Sequence, residues 1–168
     1  RDNIIFNRVI NNTKVIDADT LLIYVSNEEE VDTINIIKYF INKKKIGVPR
    51  IDNGIMNFYY INSLDELMEG YFGILEPISN NKIEDFSNTV SITPGICFSY
   101  DLYRIGYGKG FYDSFFKEHG YNYYSMKPYL VGLCYDFQTG YDITPDENDV
   151  RMNVIVTENG VFYGERAF

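Results

Sequence analysis

Residues 104–113 read Arg104-Ile-Gly-Tyr-Gly-Lys-Gly-Phe-Tyr-Asp113, and an amphipathic run continues at once through Phe115 and Phe116. Gly106, Gly108 and Gly110 alternate with larger residues, so the backbone can turn sharply and a ligand can approach it closely. The helix that the following run predicts would turn its first amides toward that ligand, and a helix N-terminus favours negative charge. Arg104 and Lys109 add two cations, and Asp113 adds a carboxylate suited to a hard metal ion. The combination suits a polyphosphate with magnesium. It is not a Walker A loop, because G-x-x-x-x-G-K-S/T does not occur, and its spacing departs from the dinucleotide pattern G-x-G-x-x-G. The plainer alternative is a glycine-rich turn.

Outward from this loop, strand patterns and helix patterns alternate. Thr89 to Thr93 is expected as a core strand ahead of Pro94-Gly95, and a helix from about Gly110 to Glu118 is closed by Gly120. Leu21 to Val25 is a continuous apolar run, as in a strand buried on both faces. Ser26-Asn-Glu-Glu29 then reads as a capping box opening a helix, with Val31, Ile34, Ile37 and Ile41 as its buried stripe. Lys45 to Val48 reads as a short strand stopped by Pro49, and Ile55 to Ile61 as an edge strand or excursion. Ser63 to Met68 can start a short helix, and Tyr71 to Asn88 is a long connection of the kind that is often functional. Tyr129 to Tyr135, Val154 to Val156 and Val161 to Tyr163 are further strands, the last after a Glu158-Asn-Gly160 turn. Ile4, Ile5, Val9 and Ile10 fit one face of an opening helix. The alternation predicts an α/β fold: one three-layer domain over residues 1–168, with a mostly parallel sheet and helices on both faces.

Composition narrows the function. The 168 residues carry a formal net charge of −9, which argues against a general nucleic-acid binder but leaves room for one small anionic ligand. The densest basic run, Lys43-Lys44-Lys45, closes a predicted helix and reads as a solvated helix end. Cys97 and Cys134 are too few and too far apart for a metal cluster or disulfide framework, and both sit in apolar segments as core thiols. No apolar run is long enough to span a membrane and no signal peptide is visible, so a cytoplasmic protein is expected. His119 reads as a surface residue near a helix end, and Ser114 has no base to activate it.

Pro94-Gly-Ile-Cys-Phe98 followed by Arg104-Ile-Gly-Tyr-Gly-Lys-Gly-Phe-Tyr-Asp113 resembles the signature of the 5-formyltetrahydrofolate cyclo-ligases, also called 5,10-methenyltetrahydrofolate synthetases. The other segments follow in the family's order. Ile23-Tyr-Val-Ser26 with Glu30-Val-Asp-Thr33 resembles its first strand and helix start, and Val48-Pro-Arg50 the end of its second strand. Phe72-Gly-Ile-Leu-Glu-Pro77 resembles the loop before the third strand, and Asn148-Asp149 the late acidic position. The resemblance runs from about Arg1 to Glu158. Arg1 to Ile10 is similar to the helix that follows a further N-terminal segment in the family, whose lysine and arginine help bind ATP. The chain therefore reads as an N-terminally shortened form.

The resemblance implies conversion of 5-formyltetrahydrofolate and ATP into 5,10-methenyltetrahydrofolate, ADP and phosphate, in a monomer that engages neither nucleic acid nor membrane. It implies ATP binding by Arg104, Ile105, Gly106, Tyr107, Gly108, Lys109, Gly110, Phe111 and Tyr112, with Arg104 and Lys109 acting on the phosphoryl group. Folate binding falls to Val25, Glu30, Phe72 and Tyr107, and Mg2+ to Asp113 and Asp149. Two positions depart from the family pattern: Leu102 stands where a glycine is usual, and Ser99 where an aspartate often follows Phe98. The alternatives are a non-catalytic folate or nucleotide binder, and the sugar-phosphate isomerases and CoA-transferase relatives that share such a layout.

Overall fold

The computed structural model describes residues 1–70, 73–125 and 127–164. In chain order the elements are α1 (Asp2–Ile10), α2 (Thr13–Asp17), β1 (Thr20–Ile23), α3 (Ile34–Phe40), β2 (Lys45–Asp52), β3 (Ile55–Ile61), β4 (Leu67–Glu69), β5 (Leu75–Pro77), β6 (Thr89–Thr93), β7 (Cys97–Phe98), β8 (Arg104–Ile105), α4 (Phe111–Glu118), β9 (Tyr129–Leu133), β10 (Val154–Val156) and β11 (Val161–Tyr163). Seven strands form the main sheet in the order β11-β10-β9-β6-β1-β2-β3. The five inner strands are parallel, and β3 and β11 close the edges antiparallel. This is the single α/β domain that the sequence pattern predicts.

Side-chain alternation divides the core into two layers. Leu21 and Ile23 of β1, Val90 and Ile92 of β6, Val131 of β9 and Val154 of β10 face α1, α2 and α3, where Ile5, Val9, Val15, Ile36 and Ile37 meet them. Leu22, Leu130 and Ile155 point the other way, against Phe115 and Phe116 of α4, together with Phe58, Phe98 and Met152. Burying a side chain such as Phe116 or Leu22 stabilises the fold by roughly 1.5–3 kcal/mol. Ser91 lies on the α4 side of β6, and its buried hydroxyl bonds that of Thr93 at 3.1 Å, so neither is left unpaired.

The topology opens a crevice at one place. The chain leaves β1 through α3 toward β2, and leaves β6 through α4 toward β9, on the opposite side of the sheet order. Crossovers that diverge in this way part the loops above the carboxyl ends of β1 and β6, which is where open α/β sheets bind ligands.

Several local expectations are corrected. Ser26 does not open a helix: the Ser26 and Thr33 side chains each accept the other's backbone N–H, at 3.0 and 2.9 Å. Asn27 Oδ1 accepts from Glu29 and Glu30, so 26–33 closes as a loop and α3 begins only at Ile34. These are the same short polar side chains, used for turns rather than a cap. β2 runs through Pro49 to Asp52; its register with β1 ends at Gly47, so the missing proline N–H breaks no bond to β1. β1 stops at Ile23 and β9 at Leu133, short of Val25 and Tyr135. In α1, Ile5 and Val9 are buried whereas Ile4 is exposed. Lys44 is not a freely solvated charge: half-buried, its ammonium donates to the carbonyls of Val15, Ile16 and Ala18 at the end of α2.

Candidate active site

Arg104 is placed by a small hairpin. β7 and β8 pair antiparallel, and the turn between them is closed by Ser99, whose N–H donates to Tyr103 O at 2.9 Å and whose Oγ accepts from Tyr103 N at 3.1 Å. Leu102 takes the left-handed φ of 67° that favours glycine, and it tolerates this with its side chain buried in the α4-side core. Its carbonyl accepts from Met152 N at 2.9 Å, which ties the hairpin to the segment after Asp149. The turn therefore keeps a glycine-like shape without the glycine.

The Arg104 side chain, 3% exposed, runs back into the protein. Nη1 donates to Pro94 O at 3.2 Å, Nη2 lies 3.8 Å from Asp113 Oδ1, and the guanidinium sits 5.0 Å from the Tyr112 ring centre. Its Nε is buried with no hydrogen-bond partner among the described residues. Burial pulls the Arg104 pKa down, against the pull of Asp113 and Asp149 upward. A Cβ on Gly106 would come 2.7 Å from Nη1, so glycine is required there by close approach. Gly108 (φ 92°) and Gly110 (φ 65°) are required by conformation instead, since each faces open space. Gly110 forms the N-cap of α4, and exposed Lys109 beside it has no hydrogen bond or ion pair among the described residues.

In front of the Pro94 wall lies a cavity of about 230 Å³, lined by Tyr24, Glu30, Pro94, Ile96, Tyr107 and Phe137 among others. It occupies the crevice above β1 and β6. Tyr107 OH donates to Glu30 Oε2 at 3.2 Å, and Glu30 Oε1 accepts from Asn27 N at 3.0 Å. Burial raises the Glu30 carboxyl above its ordinary range, although both hydrogen bonds favour the charged form. Tyr107 is pushed up to about 12 by burial and by the Glu30 charge. The result is one acidic, hydrogen-bonding wall beside a cationic, glycine-lined one.

Asp113 lies beside Arg104, close to the segment that carries Asp149. Asp149 Oδ2 accepts from Asp146 N at 2.9 Å, and Val150 N reaches Asp113 Oδ1 at 3.4 Å. Burial raises the Asp113 pKa first, Arg104 lowers it, and Asp149 and Asp146 raise it further. Carboxylates that repel one another in this way suit a cation. No group of three His, Cys, Asp or Glu side chains poised around a metal occurs among the described residues. Two carboxylates completed by water and phosphate oxygens fit Mg2+ better than an all-protein cage would.

Of the remaining candidates, Val25 packs in the helix-side core cluster and does not line the cavity, where its neighbour Tyr24 stands. Phe72 lies outside the described residues. Phe111 and Tyr112 pack against the α4-side core and anchor the start of α4, while Ile105 is exposed. His119 is half-buried between Phe86 and Phe115, at 4.7 and 4.4 Å between ring centres, and burial lowers its pKa. Cys134 is buried and Cys97 partly so, both as free thiols. Sequence reasoning missed Tyr24, Phe137 and Gln138. A signal existed: Phe137 continues the register Tyr129, Val131, Leu133, Tyr135 past the carboxyl end of β9, where ligands gather.

Comparison with known proteins decides what this arrangement belongs to. A model of the 5-formyltetrahydrofolate cyclo-ligase family matches residues 1–158. The chain belongs to that family. It is therefore an enzyme of the ligase class, in folate metabolism. A probable 5-formyltetrahydrofolate cyclo-ligase of Caenorhabditis elegans is 26% identical over 164 residues, 92% of this chain and 80% of that one. A mitochondrial 5-formyltetrahydrofolate cyclo-ligase of Arabidopsis thaliana is 31% identical over 79% of this chain and 56% of its own length. The family name thus leaves the compartment open. The Aquifex aeolicus 5,10-methenyltetrahydrofolate synthetase structure superposes with a TM-score of 0.83 at 24% identity, covering 99% of this chain and 84% of that one. The fold of the two is shared. No helix among the described residues is long and apolar enough to cross a membrane.

Proposed function

We propose that the chain performs the cyclo-ligase reaction: 5-formyltetrahydrofolate and ATP give 5,10-methenyltetrahydrofolate, ADP and phosphate. The observation that supports this best is the pairing of two unlike compartments. A phosphate-suited loop, with buried Arg104 and its unpartnered Nε, adjoins a cavity whose acid, Glu30, suits the N–H donors of a heterocycle. The nitrogen of a formamide donates into its carbonyl, so the carbon is a poor electrophile. Transfer of the γ-phosphoryl group to the formyl oxygen releases ADP and turns that oxygen into a leaving group. N10 of the folate then attacks the carbon, loses its proton, and phosphate departs as the methenyl bridge closes.

The loop amides and Lys109 hold the phosphoryl group, and buried Arg104 adds positive charge behind the loop, for a transfer that needs positioning and electrostatics more than a general base. Asp113 and Asp149 would hold Mg2+, which when bound supplies further positive charge to the phosphate oxygens. Glu30, kept in place by Asn27 N and Tyr107 OH, orients the folate. The reading takes the chain as a monomer, and two free thiols suit a reducing compartment such as the cytoplasm. Net charge of −9 speaks against nucleic acid as a partner.

The test is a near-ultraviolet assay for methenyltetrahydrofolate with 5-formyltetrahydrofolate and magnesium, with and without ATP. Product that depends on ATP is expected. Folate binding with no product under any nucleotide would instead support the non-catalytic binder.

A further inference from the structure

Phe137 stands at the rim of the folate cavity with 65% of its surface exposed, an unfavourable setting for a phenyl ring in water. Its position is nonetheless fixed. In the turn Asp136–Gln138, Gln138 Nε2 donates to the carbonyls of Gly95 and Ile96 at 3.2 and 3.0 Å, and Gln138 Oε1 accepts from Tyr135 N at 2.9 Å. Asp136 N donates to Glu158 Oε1 at 2.7 Å. The Phe137 ring lies nearly parallel to that of Tyr135, 15° between planes and 6.0 Å between centres, and Tyr135 OH donates to Asp2 Oδ1 at 2.6 Å. The backbone on either side of Phe137 is tied down and its ring rests on Tyr135, so a ligand that covers it has less freedom to remove than on a loose loop.

We propose that Phe137 is a substrate-contacting residue, its ring packing on the flat face of the folate ring system. The inference rests on the folate reading above and adds a residue to it. Glu30 and Tyr107 can hydrogen-bond only the edge of a flat heterocycle; its faces need apolar cover, which Phe137 and Ile96 supply on the same cavity. The adenine of ATP is the competing flat ring. Glu30 favours the folate: a carboxylate pairs with two adjacent N–H donors on one ring edge, as a pterin offers, whereas adenine presents one amino group flanked by acceptor nitrogens.

The chain contains no tryptophan, so Phe137→Trp places a single tryptophan at the rim, excited selectively over the 16 tyrosines. Tyr163→Trp is the control, on the exposed edge strand β11 beside the start of β10, at the opposite end of the strands. Titration with 5-formyltetrahydrofolate is expected to change the emission of Phe137→Trp saturably, Mg-ATP to leave it unmoved, and Tyr163→Trp to respond to neither. Phe137→Ala should raise the folate KM about tenfold, with rescue by Phe137→Tyr and no comparable change in the KM for ATP. A silent Phe137→Trp in an enzyme that turns over normally, or an unchanged folate KM in Phe137→Ala, overturns the assignment and leaves the cyclo-ligase reading intact. Emission that follows ATP instead overturns it in favour of adenine. A wild-type chain that neither binds nor converts the folate defeats both, and the wild-type assay tells these cases apart.

Discussion

The two ends of the parallel strands make opposite use of charge. At the amino ends lies the larger opening, about 990 Å³, with Asp17, Asp19 and the run Lys43-Lys44-Lys45 around it. At the carboxyl ends lies a cavity of about 230 Å³. The larger one contains the densest basic cluster in the sequence, yet Lys44 is committed to the last carbonyls of α2, at 3.0 and 2.8 Å for Ile16 and Ala18. The smaller one adjoins a guanidinium whose Nε has no partner among the described residues, a Lys109 equally without a described bond, and carboxylates with raised pKa values. Neither size nor local basicity marks the site; a buried donor without a partner among the described residues, beside carboxylates raised by burial, does.

The contrast breaks most readily at Lys109. Because it is exposed and makes no described bond, Lys109→Ala should lower kcat by roughly 10²–10³-fold, as for loss of one charge-stabilising donor, while the urea midpoint stays put. An unchanged rate would remove Lys109 from the phosphate site. Lys44→Met should do the reverse: turnover unaltered, and stability lowered by roughly 1.5–3 kcal/mol as the charged bonds to the α2 carbonyls vanish. Urea titration beside the kinetic assay separates the two.

A smaller effect sharpens the account of the hairpin. Leu102 is held at a positive φ by burial of its side chain. Both truncations empty that pocket, but only glycine escapes the backbone strain, so Leu102→Gly should be more stable than Leu102→Ala by about 1 kcal/mol. This reverses the usual order, in which glycine is the more destabilising of the two. Equal or inverted stabilities would contradict the strained turn.

The smallest effect is a pH slope at Glu30. Its folded pKa is raised, chiefly by burial, so between the ordinary carboxylate range and the raised value the folded chain keeps a proton that the unfolded chain has released. Stability therefore falls as pH rises through that window, and Glu30→Gln should flatten the slope. A slope unchanged by the substitution would place the responsible group elsewhere.

The sequence was informative where local pattern and burial agree. Thr89–Thr93 and the helix after Gly110 stand as read, because a segment rich in β-branched residues and closed by Pro94-Gly95 favours a strand, and an amphipathic stripe that follows a glycine favours a helix. The Arg104–Asp113 segment carries the family resemblance, and the family match covers it. The β7–β8 hairpin was not legible, since two-residue strands have no periodicity and exist only through their pairing. Ser26 misled because a serine, an asparagine and a glutamate can close a turn as well as cap a helix. Lys44 was misread for a related reason: its partners lie on α2, nearly thirty residues earlier, and no local pattern reports them. Phe137 carries no charge and no glycine, and only its register beyond β9 hinted at the cavity.

One assay on three proteins tests the central claim most directly. ATP-dependent formation of methenyltetrahydrofolate would be followed for the wild-type chain, Lys44→Met and Arg104→Lys. Arg104→Lys keeps the charge but loses the fork that spans Pro94 O and Asp113. The account expects equal rates for the wild type and Lys44→Met and a loss of roughly a hundredfold or more for Arg104→Lys. Full activity in Arg104→Lys together with a collapse in Lys44→Met would put the chemistry at the wrong end of the sheet and contradict it.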